Sequence, residues 1–241
     1  MQHLIGQDTT RAAAKAASHI VELSRQAIAD RGRFAVALAW SDDLALVYRA
    51  LAARRDIEWK RWEVYFAEER AVSAEDDMSA WRNVYHNLLA RAAIREEKTH
   101  PMYALGMDVA AAADEYNQLL TPVLGDPPVF DLVLLTLGRN ADLLGLHPLC
   151  PAIEDPRAVA AVIDPPLDPP VDRITLTPRA LRAARHLLLP VFGGRHARAL
   201  RMTLEDSDDR LRVPAQVLRD AEGEVTLCLD ELLAKSIGID V

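Results

Sequence analysis

The chain has 241 residues, half of them hydrophobic but only 5% aromatic, so we expect one α/β domain over residues 1–241 with a core of Ala, Leu and Val. Its formal net charge of -8 argues against a nucleic-acid partner, which would need a concentrated basic face. No basic region followed by an apolar run opens the chain, and no uncharged stretch reaches membrane-spanning length, so we expect a cytoplasmic protein with no membrane association.

Helical and strand patterns alternate along the first third of the chain. Apolar residues at helical spacing, then a continuous apolar run after a glycine, are typical of a helix that leads into a buried parallel strand. The predicted elements are a helix capped by Thr9 or Thr10 and ending near Gly32, a strand at 34–39, a helix from about Asp42, a strand at 62–67 and a helix capped by Ser79.

The alternation continues to the end of the chain. The predicted elements are a helix at 107–120, strands at 130–137, 158–163, 173–177, 186–192 and 225–229, and helices at 178–185 and 195–205. A proline-rich stretch at 164–170 suits neither element and is expected to be a surface connection. Such alternation predicts an α/β fold with a mainly parallel sheet flanked by helices, and ligands bind such sheets at the carboxyl ends of their strands.

Three segments, taken in order, resemble one known family. Residues 57–70 end in Glu-Glu-Arg after a strand pattern, residues 138–148 run from a glycine to a proline, and residues 173–177 read Arg-Ile-Thr-Leu-Thr. They are similar to the Asp-Glu-Arg strand, the Leu-Gly-Met-Gly-X-Asp-Gly-His-Thr-Ala-Ser-Leu-Phe-Pro segment and the Arg-Ile-Thr-Leu-Thr strand of the 6-phosphogluconolactonases. This resemblance spans nearly the whole chain and implies the fold shared with ribose-5-phosphate isomerases.

The resemblance also implies a metal-free site in which a histidine activates water to open a sugar phosphate lactone. In this chain Asp142 stands at the position of that histidine, and Asn140-Ala141 replace the preceding Asp-Gly. A carboxylate can act as a general base, although with an ordinary pKa of about 4 it is a weaker proton acceptor than imidazole. The competing interpretation is that Asp142 caps a helix after the Gly138 turn.

The family's first strand runs into a Ser-Gly-Gly-Ser-Thr-Pro turn, whose small residues admit an anion at a helix start. Residues 39–44 take that position here, and Ser41 and Asp42 are the turn residues that we expect at the ligand. Trp40 fills space that glycine would leave open, while Asp42 and Asp43 place negative charge where an anion would lie. Alternatively, the two aspartates serve only to stabilise the helix dipole.

Basic residues at other matched positions are candidates for an anion contact. Arg70 is retained from the Asp-Glu-Arg triplet, and its guanidinium offers a planar fork to phosphate or carboxylate, unless it forms a salt bridge with Glu68 or with the neighbours of Glu69. His196 takes the place of a lysine, for which the adjacent Arg195 can partly substitute. Arg139 adds a positive charge beside the altered turn, although isolated arginines are more often solvated.

The histidines and cysteines predict no metal centre or cofactor. The seven histidines show no recognisable metal spacing, and no Ser-His-Asp or Cys-His motif is present. Cys150 and Cys228 fit neither a disulfide framework nor a zinc spacing, so we interpret both as packed thiols.

Three functions are compatible with these residues. The first is a sugar-phosphate lactonase in which Glu68 and Asp142 handle protons while Arg70 and Arg195 hold the phosphate. The second, which the residue chemistry favours, is a non-catalytic homologue that keeps the fold for binding, assembly or regulation. The third is an enzyme for a non-phosphorylated or cationic substrate, which the acids Asp42, Asp43 and Asp142 would suit. The expected ligand is a sugar phosphate or another small molecule, and an oligomer or a protein partner is compatible with the sequence.

Overall fold

The computed structural model describes residues 1–102, 106, 108–167, 169–205 and 207–241. Within them the chain forms the predicted α/β fold, whose main layer is a seven-stranded sheet. Every strand pair in this sheet is parallel, and the strand order is β1-β10-β9-β6-β2-β3-β5. These strands are β1 (Gln2–Gly6), β2 (Phe34–Leu38), β3 (Trp62–Phe66), β5 (Thr99–His100), β6 (Leu132–Leu134), β9 (His186–Val191) and β10 (Glu224–Asp230).

A second, three-stranded antiparallel sheet lies beside the main one and was not predicted. Its order is β4-β8-β7, with β4 at Glu68–Arg70, β7 at Val159–Val162 and β8 at Arg173–Leu176. The strand patterns at 158–163 and 173–177 are therefore real strands, but they belong to this small sheet. Pairing with β8 fixes the position of the Glu-Glu-Arg triplet, which follows the strand predicted at 62–67.

Helices cover the sheets, and their bounds differ modestly from those predicted. They are α1 (Thr9–Arg31), α2 (Asp42–Ala52), α3 (Ala80–Val84), α4 (Val109–Leu124), α5 (Pro178–Ala183), α6 (Ala197–Leu204) and α7 (Glu231–Ser236). Helix α1 packs on β1, β2 and β10, while α4 packs on β7 and β8. A π-helical turn at Tyr85–Leu89 continues α3, and a 3-10 turn at Gly194–His196 precedes α6, so the helix predicted at 195–205 is divided in two.

Side-chain caps set the helix starts. Ser41 and Ser79 accept hydrogen bonds from the third backbone N–H beyond them and cap α2 and α3. The cap of α1 is Asp8, which accepts from the N–H of Arg11, so the prediction of a threonine cap was wrong. The predicted start of α4 at residue 107 lies outside the described residues, as does residue 168 of the proline-rich connection.

The core is built mainly from Ala, Leu and Val, as the composition predicts. Cys150 and Cys228 are both free and buried, which confirms that they pack as thiols. Strand β6 is shorter than the predicted 130–137, because the chain beyond Leu134 leaves the sheet and folds into turns. In the described part of the chain, no helix combines the length and apolar character needed to cross a membrane.

Candidate functional site

A cavity of about 630 Å³ opens at the carboxyl ends of β2 and β9, where ligands bind parallel α/β sheets. Its walls are the turn from β2 into α2, the end of β4, the Gly138 turn and the segment that links β9 to α6. Six of the eight predicted site residues line it: Ser41, Asp42, Arg70, Arg139, Arg195 and His196. The two predicted catalytic carboxyls, Glu68 and Asp142, are not part of this lining.

The turn from β2 into α2 places one buried carboxylate against the cavity. Asp43 is 7% exposed, and its carboxylate accepts from Arg195 Nη2 at 3.0 Å and from the backbone N–H of Phe192 at 3.2 Å. Asp43 therefore does more than stabilise the dipole of α2, because it fixes the segment after β9 to the start of that helix. It also occupies part of the Arg195 guanidinium, which is less available to a ligand than the sequence predicted.

His196 is held in the same group of side chains. Its Nε2 accepts a hydrogen bond from Arg195 Nε at 2.8 Å, and because arginine is always a donor the ring proton belongs on Nδ1. That Nδ1 is buried and has no hydrogen-bond partner in the described chain. An imidazole ring paired with an arginine does not reproduce the point charge of a lysine at this position.

Arg70 and Arg139 are the two arginines of the cavity that form no ion pair with a described carboxylate. Arg70 Nη1 donates to the carbonyl of Met78 at 2.9 Å, but its Nε is buried without a partner. It forms no ion pair with any described carboxylate, so the salt-bridge interpretation was wrong. Arg139 is exposed and has no hydrogen bond or ion pair with the described residues. Together the two guanidinium groups offer several free donors to an anion in the cavity.

Glu69 fixes the chain that carries Arg70. Its buried carboxylate accepts from the backbone N–H groups of Arg70 at 2.8 Å, Ala80 at 2.7 Å and Trp81 at 2.7 Å. Ser79 Oγ adds a longer bond of 3.3 Å. The second acid of the triplet is therefore structural, since it closes the loop between β4 and α3 on itself.

Glu68 lies behind the cavity, in the small sheet. It is 8% exposed and accepts from Thr136 Oγ1 at 3.2 Å. Burial raises the pKa of Glu68, and the nearby guanidinium groups of Arg70 and Arg173 oppose that rise only in part.

We expect the Glu68→Gln variant to gain stability relative to the wild type as pH rises from about 4 to about 8. The pKa of Glu68 is raised in the folded state, so its stabilising contribution is full below the unfolded value of 4.5 and is lost as pH rises through the folded value. Urea denaturation across this pH range measures the difference, with the exposed Glu58→Gln as the control. A trend in the opposite direction would show that Arg70 and Arg173 favour the ionised carboxylate.

Arg173 is a polar residue of the site region that sequence reasoning missed. It opens β8, is 6% exposed, and its Nε is buried with no hydrogen-bond partner among the described residues. Burial lowers the pKa of Arg173, while the charges of Glu68 and Asp142 raise it. The available signal was a charged residue at the head of an apolar strand, which is an unusual position for an arginine unless it meets a buried acid.

Asp142 packs directly on the Gly138 turn. A Cβ placed on Gly138 would lie 2.3 Å from Asp142 Oδ2, so only glycine fits beside this carboxylate. The other oxygen, Oδ1, is buried without a hydrogen bond in the described chain, and burial raises the pKa of Asp142. No helix follows, because residues 138–148 form two turns joined by isolated bridges, and the helix-cap interpretation was therefore wrong.

The same segment carries backbone strain. Ala141 and Leu144 have φ values of 58° and 54°, in the left-handed region that favours glycine. Both residues carry a Cβ, for which this conformation is strained, so the surrounding turn must hold it in place.

No set of three or more His, Cys, Asp or Glu side chains in the described residues is arranged to hold a metal ion. The cavity instead combines three arginines with two aspartates, one of which is neutralised by Arg195. This arrangement can hold an anion through Arg70 and Arg139. Neither of the two predicted general bases, Glu68 and Asp142, is part of the lining.

The parallel sheet and the polar cavity define an α/β protein whose cavity lies at the strand ends, where such folds bind small molecules. The family model described as glucosamine-6-phosphate isomerases/6-phosphogluconolactonase matches residues 7–227, and the chain belongs to this family. A relative named 6-phosphogluconolactonase, from Mycobacterium tuberculosis, is 34% identical over 211 residues, which cover 84% of this chain and 85% of the relative.

Solved structures agree with this assignment of the fold. The 6-phosphogluconolactonase from Trypanosoma brucei superposes with a TM-score of 0.85 at 22% identity, covering 98% of both chains. The 6-phosphogluconolactonase from Trypanosoma cruzi gives a TM-score of 0.86 at 24% identity, covering 98% of this chain and 97% of the other. The predicted resemblance and the α/β fold with a mainly parallel sheet are thereby confirmed.

Proposed function

We propose that this protein is a 6-phosphogluconolactonase homologue that binds a sugar phosphate or a similar small anion without hydrolysing 6-phosphogluconolactone. One observation carries the proposal: Arg70 and Arg139 line the cavity with free donors, whereas the carboxyl groups of Glu68 and Asp142 are not part of its lining. The site keeps the means to hold an anion and lacks a positioned base.

The position of Asp142 is the main obstacle to catalysis. A general base must come within hydrogen-bond reach, directly or through one water, of the proton that it removes. Asp142 is not part of the cavity lining: one of its oxygens packs on Gly138, and the other is buried without a partner among the described residues. Glu68 is likewise engaged, since Thr136 donates to it.

A second candidate function is lactone hydrolysis by the carboxyl pair itself. The observation that favours it is the raised pKa of both Glu68 and Asp142, which brings each group closer to the value that suits acid-base catalysis near neutral pH.

A substrate without phosphate is a further alternative, because the exposed Asp42 lines the cavity and has no partner among the described side chains. A single domain over residues 1–241 and a cytoplasmic location stay predictions.

The purified protein is expected to leave the rate of 6-phosphogluconolactone opening at the buffer value, while calorimetry detects binding of 6-phosphogluconate. Arg139→Met should weaken that binding about fivefold, because a charge-assisted contact in a half-open site contributes about 1 kcal/mol. Arg55→Met is the matched control, since Arg55 is an exposed arginine beyond the other end of α2.

Two results would overturn the proposal. Equal affinity of Arg139→Met and wild type would show that the anion does not use this cavity. Saturable lactone hydrolysis that is lost in the isosteric Asp142→Asn variant would replace the binding function with catalysis by the carboxyl pair.

A further inference from the structure

A second cavity of about 390 Å³ lies at the amino ends of the parallel strands, where β6, β9 and β10 begin. Its polar lining residues are Gln26, Asp30, Arg31, Asp131, Arg185, His186 and Glu222. Its apolar lining residues are Leu23, Ala27, Val129, Ala183 and Ala184. The cavity is separate from the candidate site, although β9 borders both, with His186 at one end and Val191 at the other.

One ion pair in this cavity is already complete. Asp131 is buried, and one of its oxygens accepts from Arg31 Nε at 2.9 Å, with Arg31 Nη2 also at 2.9 Å. The other oxygen accepts from the backbone N–H of Ala35 at 2.8 Å. The charges of Asp131 and Arg31 are therefore already engaged with each other.

Arg185 is the cation that remains. Its only contact with a carboxylate in the described chain is a long one, 3.5 Å from Nε to Asp131, and its side chain is 48% exposed. The terminal guanidinium nitrogens have no partner among the described residues, so they can donate a forked pair of hydrogen bonds to a carboxylate in the cavity.

Negative charge and an apolar wall complete the lining. Asp30 and Glu222 are exposed carboxylates. Asp30 lies 3.5 Å from Arg31 Nη1, whereas Glu222 has no side-chain partner among the described residues. Nδ1 of His186 is buried without a hydrogen bond in the described chain, 3.7 Å from a carboxylate oxygen of Glu224. One free guanidinium, Arg185, and one free carboxylate, Glu222, in the same lining suit a ligand with both charges better than a simple anion or cation.

We propose that this cavity binds a free α-amino acid with an apolar side chain. The carboxylate pairs with Arg185, the ammonium group pairs with Glu222, and the side chain packs on the wall formed by α1 and α5. This site is independent of the proposed function, since no residue lines both cavities.

Calorimetric titration with L-leucine tests the site on the intact protein. Wild type is expected to bind L-leucine, and to bind N-acetyl-L-leucine and L-leucinamide at least fivefold more weakly because each lacks one charge. Arg185→Met and Glu222→Gln should each weaken L-leucine binding at least fivefold. Arg182→Met, which replaces an exposed arginine outside the lining, should bind as wild type does.

The inference is overturned if wild type gives no binding heat with L-leucine, or if both Arg185→Met and Glu222→Gln bind it as wild type does. Binding of N-acetyl-L-leucine as tight as that of L-leucine would equally exclude recognition of the ammonium group. Arg139→Met separates the two sites: it should lose affinity for 6-phosphogluconate and retain affinity for L-leucine.

Discussion

Replacing Glu69 by alanine is expected to lower the free energy of unfolding by about 3–4 kcal/mol, a loss of the size seen when a buried hydrogen-bond network is broken. The carboxylate accepts from the backbone N–H groups of Arg70, Ala80 and Trp81, at 2.7–2.8 Å. Glu69 is 4% exposed, so water does not readily replace it. Each N–H left without a partner costs about 1–3 kcal/mol.

The loss should also reach the candidate site. Arg70 is held by its own backbone bond to Glu69 and by the Met78 carbonyl that its guanidinium contacts, and both lie in the loop that Glu69 closes. Glu69→Ala is therefore expected to weaken 6-phosphogluconate binding although Glu69 does not line the cavity.

Urea denaturation measures the effect on stability, with Glu75→Ala as the control because Glu75 is an exposed glutamate of the same loop. Glu69→Gln keeps one acceptor oxygen and should fall between Glu69→Ala and wild type. A change below about 1 kcal/mol for Glu69→Ala would mean that the loop satisfies its N–H groups in another way.

The main sheet was predictable because its central strands are buried on both faces. Strand β2 is buried at every position and reads as a continuous apolar run, as a parallel strand between two helix layers must. Strand β1 was missed for the opposite reason: it forms one edge of the sheet, and its first two residues, Gln2 and His3, are exposed and polar. Strand β5 has only two residues and carries no pattern.

The antiparallel sheet could not be read from local sequence. Strand β4 is Glu-Glu-Arg, a composition that β propensity disfavours, and it forms because it pairs with β8 about a hundred residues later. Its two glutamates are buried because strand β8 and the first residues of α3 pack around them. Glu68 was consequently predicted to face the ligand, although it lies behind the cavity.

The sequence predicted most of the residues that line the candidate site, but it did not predict how those residues pair with one another. The resemblance matched Ser41, Arg70 and Arg195 to positions of the family's site, and all three line the cavity at the carboxyl ends of the parallel strands. The pairing of Asp43 with Arg195 joins residues 152 positions apart and has no local signature. It decides which arginines are free, and hence where an anion can bind.

Asp43→Asn is expected to raise the affinity for 6-phosphogluconate about tenfold. The change removes a buried negative charge beside the cavity and releases Nη2 of Arg195, which Asp43 now holds at 3.0 Å. At separations of about 6 Å and an intermediate effective dielectric, one unit charge contributes roughly 1–1.5 kcal/mol, which corresponds to about tenfold. The asparagine oxygen can still accept from the N–H of Phe192, so the turn should keep its shape.

The gain should depend on the released arginine and on salt. Titrations at low and high NaCl should show the advantage of Asp43→Asn shrinking as salt screens the charges. Asp42→Asn removes the same formal charge from an exposed position without breaking an ion pair, so it should give a smaller rise. The double change Asp43→Asn with Arg195→Met should return the affinity close to the wild-type value. If Asp43→Asn alone weakens binding, then Asp43 orients Arg195 toward the ligand and the ion pair is part of the anion site.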